Sequence, residues 1–141
     1  MIEINNLTTT SIDEEFLKKI AQKILKKEKE SGLSIAFVNP ARMKKLNKKY
    51  RRKDRVTDVL SFGSNQKFPS FQKHTELGEV IICLSEVRKN AKQYKSTFER
   101  ELVQVLIHGI LHLLGYDHEK LEKEAKKMEE KQQYYLSQVL K

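Results

Sequence analysis

The chain alternates between stretches where apolar residues occur at every second position and stretches where they recur every third or fourth. Ile2 and Ile4 fall on one side of a strand predicted over Met1–Leu7. Phe16, Leu17, Ile20, Ala21 and Ile24 then form one stripe, which predicts a helix from about Ile12 to Lys29. Ser11 followed by Glu14 has the form of a capping box, and Ser31-Gly32 ends the segment. Leu33, Ile35 and Phe37 alternate with Ser34 and Ala36, predicting a second strand over Leu33–Val38. Asn39-Pro40, a cap followed by a proline, starts a short helix over Ala41–Lys49 that buries Met43 and Leu46. Tyr50–Arg55 reads as a basic loop, and Val56–Phe62 holds a third strand packed through Val59, Leu60 and Phe62. Gly63–Thr75 is polar. It reads as a hairpin arm or a flap, anchored by Phe68 and Phe71, with His74 as a loop residue.

Gly78–Leu84 is the fourth strand. Its unbroken apolar run from Val80 to Leu84 suits a central strand covered on both faces. Three helices complete the pattern: Ser85-Glu86 to Tyr94, Phe98 to Leu114 capped by Thr97, and Glu119–Leu136 with an apolar stripe of Leu121, Ala125, Met128 and Tyr135. The class is therefore α/β (α+β): a single four-stranded mixed sheet, mostly parallel, packed with about five helices around a central one. Residues 1–38 form a βαβ unit, whose crossover should be right-handed. A chain of 141 residues fits one domain, residues 1–141.

The central helix carries the chemistry. Three of the four histidines lie in His108-Gly109-Ile110-Leu111-His112-Leu113-Leu114-Gly115-Tyr116-Asp117-His118. His108 and His112 stand one turn apart on one helical face. Gly115 can end the helix in a left-handed conformation, and the turn after it can bring His118 back as a third ligand. Three imidazoles with an open fourth position make a catalytic zinc site, one Zn²⁺ per chain. Nickel also accepts imidazole. The same spacing occurs in a large class of zinc peptidases, which place their glutamate base immediately after the first histidine. Here that position is Gly109, so a hydrolase other than a peptidase of that type is expected. Glycine in mid-helix costs about 1 kcal/mol relative to alanine. A close backbone contact beneath the metal would explain it.

The run His-Gly-x-Leu-His-Leu-x-Gly-Tyr-Asp-His resembles the signature of the bacterial YbeY family. A second block, Asn47 to Phe62, and a weaker one, Leu77-Gly78-Glu79-Val80-Ile81-Ile82, follow the family's order, so the resemblance covers nearly the whole chain. It implies a cytoplasmic, zinc-dependent, single-strand-specific endoribonuclease that acts in small-subunit rRNA 3′-end maturation and ribosome quality control. The implied partners are rRNA, the small ribosomal subunit and ribosomal proteins. Two positions depart from the family pattern: Gly63 where proline often follows Ser-Phe, and Glu79 where aspartate is commoner.

The charge agrees with a polyanionic partner. The formal net charge is +9, and nine basic residues crowd between Ala41 and Arg55, opposed only by Asp54. Within this block Arg51 is the candidate to grip a phosphate with two parallel bonds. The resemblance supports it, because the family's functional arginine follows an aromatic residue and Arg51 follows Tyr50. Arg52, Lys53, Arg55 and Arg88 are candidate RNA contacts. Thr57 and Asp58 have two open readings, a turn bonded to its own backbone or support for the floor of the site. Asp117 has three: orienting a ligand imidazole, capping the turn after Gly115, or acting as a base. No side chain stands out as general base, so water on the metal and the RNA 2′-hydroxyl both remain as nucleophile. Two rival accounts stand beside this one: a metal hydrolase of a non-RNA substrate, and a non-catalytic ribosome-associated zinc protein.

The remaining signals are exclusions. No apolar run of eighteen residues predicts a membrane span, and the N-terminus, with Glu3 and no apolar core segment, does not read as a signal peptide. The lone Cys83 rules out an internal disulfide, suits a reducing compartment and reads as a buried small residue.

Overall fold

The computed structural model describes residues 2–30, 32–63, 77–116 and 122–140. The elements run β1 (Ile2–Asn6), α1 (Glu14–Lys27), β2 (Leu33–Val38), α2 (Pro40–Arg51), β3 (Val59–Gly63), β4 (Gly78–Cys83), α3 (Leu84–Gln93), α4 (Phe98–Leu113) and α5 (Glu122–Val139). The strands form one sheet in the order β1-β2-β4-β3. β1 and β2 pair in parallel, as do β2 and β4, while β3 runs antiparallel to β4. This is the mixed, mostly parallel sheet with five helices that the hydrophobic pattern predicts. No helix among the described residues is long and apolar enough to cross a membrane.

β2 and β4 are buried at every position, because helices cover both faces. On one face α2 supplies Met43 and Leu46 to a cluster with Val38, Leu60, Phe62, Ile81 and the buried Cys83. On the other, Ile35, Phe37, Val80 and Ile82 pack with residues of α1, α3, α4 and α5. β3 is an edge strand, and its alternation decides what reaches the site. Leu60 and Phe62 point to the α2 side, while Val59 and Ser61 point to α4.

Local signals account for the helix ends, with three shifts from expectation. α1 is capped by Asp13, whose Oδ1 accepts from the Phe16 amide at 3.1 Å, rather than by the Ser11–Glu14 box. α2 continues through Arg51, so Tyr50 and Arg51 end a helix instead of opening the expected loop, and Arg52 closes the helix in a left-handed conformation (φ 58°). α3 begins at Leu84, directly after β4, rather than at Ser85-Glu86. The end of α4 follows expectation. Gly115 has φ +98°, its amide bonds the His112 carbonyl, and the Tyr116 amide bonds the Leu111 carbonyl, both at 3.1 Å. These two bonds make a Schellman motif, which needs a positive φ at the residue after the cap.

The chain leaving α4 is tied to α1 and α5 through Glu28. Its carboxylate accepts from the hydroxyl of Tyr135 at 2.6 Å, from Lys131 Nζ at 3.0 Å and from the hydroxyl of Tyr116 at 3.3 Å. Burial pushes the Glu28 carboxyl up, but the bonds from Tyr135, Lys131 and Tyr116 together with the Lys131 charge outweigh it and hold the group below its ordinary value. A carboxylate with a depressed folded pKa stabilises the fold above its unfolded pKa of about 4.3, and that contribution disappears as pH falls through the folded value. Glu28→Gln is therefore expected to cost about 1–2 kcal/mol at neutral pH. Thermal melts of both proteins from pH 7 to pH 3 should show the gap closing below about pH 4.5. A gap that widens on acidification would contradict this role.

Candidate metal centre

His108 and His112 lie on α4 with their Nε2 atoms 3.0 Å apart and their rings nearly perpendicular, at 79°. Two nitrogens on one tetrahedral zinc, each 2.0–2.1 Å from the metal, would be about 3.3 Å apart. The pair has the bite of a chelate, set by one helical turn. Gln132 of α5 backs it: its Oε1 is 2.9 Å from His108 Nδ1. An amide oxygen only accepts, so Nδ1 carries the proton and donates. The His108 Nε2 is then the unprotonated nitrogen and faces His112 Nε2, the state a metal ligand needs. Gln132 is 8% exposed, so packing holds this contact.

β3 covers the helix at Gly109. A Cβ there would stand 2.7 Å from Val80 Cγ1, 3.2 Å from Val59 Cγ2 and 3.3 Å from Ser61 Oγ. This is the close approach that the mid-helix glycine suggests. Ser61 Oγ also donates to the Gly109 carbonyl at 2.9 Å. The same serine's carbonyl accepts from Arg51 Nη2 at 2.8 Å, and the guanidinium lies 4.6 Å from the centre of the Phe62 ring. Two hydrogen bonds thus connect Arg51, at the end of α2, to the backbone beside His108. The Ser61 bond uses one of the five guanidinium N–H donors.

Asp58 precedes β3. Its carbonyl accepts from the Cys83 amide at 2.9 Å and its Oδ2 from Asn90 Nδ2 at 3.3 Å, both partners lying on other elements. It lines a cleft of about 320 Å³ together with His108 and Gln132. Within its own turn Asp58 Oδ1 also accepts from the Thr57 hydroxyl, at 3.5 Å. Arg52, Lys53 and Arg55 are exposed in the segment after α2. That segment is shaped by buried Asn47, whose Nδ2 donates to the Arg55 carbonyl at 3.0 Å and whose carbonyl accepts from the Lys53 amide at 3.3 Å. Arg88 stacks on Phe98 at 5.1 Å, ten residues or about 15 Å along α4 from His108. Asp117 and His118 lie outside the described residues, as do Phe68, Phe71 and His74. Among the described residues no third His, Cys, Asp or Glu joins the imidazole pair in a metal-sized group.

The family model described as endoribonuclease YbeY matches residues 3–140. The chain belongs to the endoribonuclease YbeY family. It is similar to the curated endoribonuclease YbeY of Thermotoga neapolitana, 43% identical over 89% of this chain and 81% of the relative. That of Thermodesulfovibrio yellowstonii is 46% identical over 86% of this chain and 76% of the relative. The solution structure of TM1509 from Thermotoga maritima superimposes with a TM-score of 0.71 at 40% identity, covering 99% of this chain and 89% of that one.

Three residues of this YbeY-family site escape a reading of the sequence. Asn47 and Ser61 lie inside the block that carries the family resemblance, but neither residue type announces a role there. Gln132 has no local signal at all, because it is one amide in a helix rich in Lys and Glu.

Proposed function

We propose that this chain is a metal-dependent, single-strand-specific endoribonuclease of the cytoplasm, acting in maturation of the small-subunit rRNA 3′ end and in ribosome quality control. One Zn²⁺ per chain would be held by His108, His112 and His118. The observation that carries the reading is the converging pair of Nε2 atoms with Gln132 behind His108. Bound there, zinc supplies a Lewis acid for a phosphoryl oxygen and a water of near-neutral pKa. Family membership supports the RNA substrate, and the exposed basic residues that follow α2 supply the electrostatic attraction a polyanion needs.

Within this reading the chain's own residues divide the work. Gln132 holds the His108 tautomer. Ser61 positions Arg51, whose other N–H donors neutralise charge on the nonbridging oxygens of the scissile phosphate. Small-subunit rRNA and ribosomal proteins are the proposed partners.

The test pairs metal content with cleavage of single-stranded RNA, before and after chelation, with a peptide substrate alongside. RNA cleavage lost with the metal and restored by zinc is the expected result; peptide cleavage that follows the metal instead would overturn the reading. Arg51→Ala should keep the metal yet lose about 10²-fold in kcat/KM. Arg51→Lys should recover little of it, because an ammonium does not fork onto phosphate.

A further inference from the structure

The cleft beside His108 shares His108 and Gln132 with the metal site and extends away from it and from Arg51. Its walls hold Asp58, Asn90, Tyr94, Glu101, Gln104 and Gln132. On α4 the lining residues are Glu101, Gln104, Val105 and His108, and His112 follows one turn on. These spacings of three and four residues put them on one face of α4. The cleft therefore continues the face that presents the imidazoles, running about 10 Å toward the start of the helix. Its volume, about 320 Å³, is at the small end of ligand pockets.

We propose that this cleft is a nucleobase subsite, which takes a base carrying an exocyclic amino group next to the scissile phosphate. The proposal rests on the RNA reading above and adds where the base goes. Four observations support it. Among the described residues no Lys or Arg lines the cleft while two carboxylates do, so a phosphate is repelled there and the backbone stays on the Arg51 side. Tyr94, at the end of α3, is 65% exposed, which leaves a large ring available for stacking. Gln132 is more than nine-tenths buried and gives its oxygen to His108; its amide nitrogen has no partner among the described residues and is available as a donor to a base carbonyl or ring nitrogen. Carboxylates only accept, and Asp58 is held in place by Asn90. Glu101 and Asp58 therefore match an amino group and repel the carbonyl that uracil presents in its place.

Cytosine and uracil differ at that group and at the adjacent N3, which accepts in cytosine and donates in uracil, and share the rest of the ring, so they make the comparison. Binding of short oligocytidine and oligouridine is measured by fluorescence anisotropy over a salt series. The full chain is used as purified and again after chelation, with oligomer integrity checked on a gel. Oligocytidine should bind more tightly. Tyr94→Ala should weaken it about fivefold or more, the scale of one lost stacking contact. The slope of log affinity against log salt should not change, because no phosphate contact is lost. Arg51→Ala should do the reverse and flatten the slope by about one unit. Glu101→Gln should narrow the preference for cytidine. Tyr94 and Glu101 lie outside the core, so folding is retained, as circular dichroism would verify. If both oligomers bind but Tyr94→Ala stays within twofold of wild type, or cytidine has no advantage, the subsite is overturned and the RNA reading stands. If neither oligomer binds, the RNA reading falls and the subsite with it.

Discussion

His112→Ala is expected to reduce bound metal from one per chain to near none, and RNA cleavage to the level of chelated wild type. The metal grip proposed here depends on two imidazoles one helical turn apart, with their Nε2 atoms 3.0 Å from each other. Truncation at His112 leaves His108 to bind through one nitrogen from α4. Loss of a residue that merely orients a ligand costs about 10–100-fold in metal affinity, so loss of a ligand should exceed about 100-fold. The fold should survive. His112 is half-buried near the end of α4, and alanine is the better helix former. Metal analysis by mass spectrometry, a chelator competition and a thermal melt of the same preparation separate loss of metal from loss of structure. Full metal content with wild-type cleavage in a folded variant would remove His112 from the site.

Gly109→Ala should destabilise the protein even though alanine is worth about 1 kcal/mol in a helix interior. The new methyl would meet Val80 Cγ1 at 2.7 Å, below any real contact distance. Val80 is β-branched and fully buried in β4, so it has few rotamers in which to yield. α4 must lift from the sheet instead. Overpacking of this kind costs about 1–3 kcal/mol, and after the propensity gain a net loss of about 1–2 kcal/mol remains. The displacement would also stretch the Ser61–Gly109 bond and shift His108, the preceding residue, so metal affinity should fall with stability. Urea unfolding with and without metal measures both. An unfolding midpoint equal to or above that of wild type would show that β3 and β4 give way at no cost. The same geometry bears on the peptidase comparison. Position 109 faces Val59, Val80 and Ser61, so a glutamate there would be driven into the sheet rather than presented beside the imidazoles.

Much of this architecture is readable along the chain because the signals are local. Alternation marks β1 and β2, an unbroken apolar run marks β4, a period near 3.6 marks α1 and α4, and Asn39-Pro40 and Gly115 punctuate helix ends by backbone geometry that depends on few neighbours. Boundaries shifted where two local signals competed. Ser11 and Asp13 could each cap α1, and Asp13 takes the amide of Phe16. Tyr50 and Arg51 read as part of the basic loop Tyr50–Arg55, yet they complete the last turn of α2 because Asn47 and a left-handed Arg52 close the helix one residue later.

The sequence by itself determined the imidazole pair, since a four-residue spacing on a helix dictates which side chains share a face. It also determined the mixed sheet and the glycine demanded beneath the pair. Only the tertiary structure decided which groups surround that pair. Gln132 reaches His108 across 24 residues, Ser61 reaches Gly109 across 48, and Glu28 reaches Tyr116 across 88. No periodicity encodes such partners, because they meet only when separate elements pack, and many polar side chains on the same helices would have served a different packing equally well.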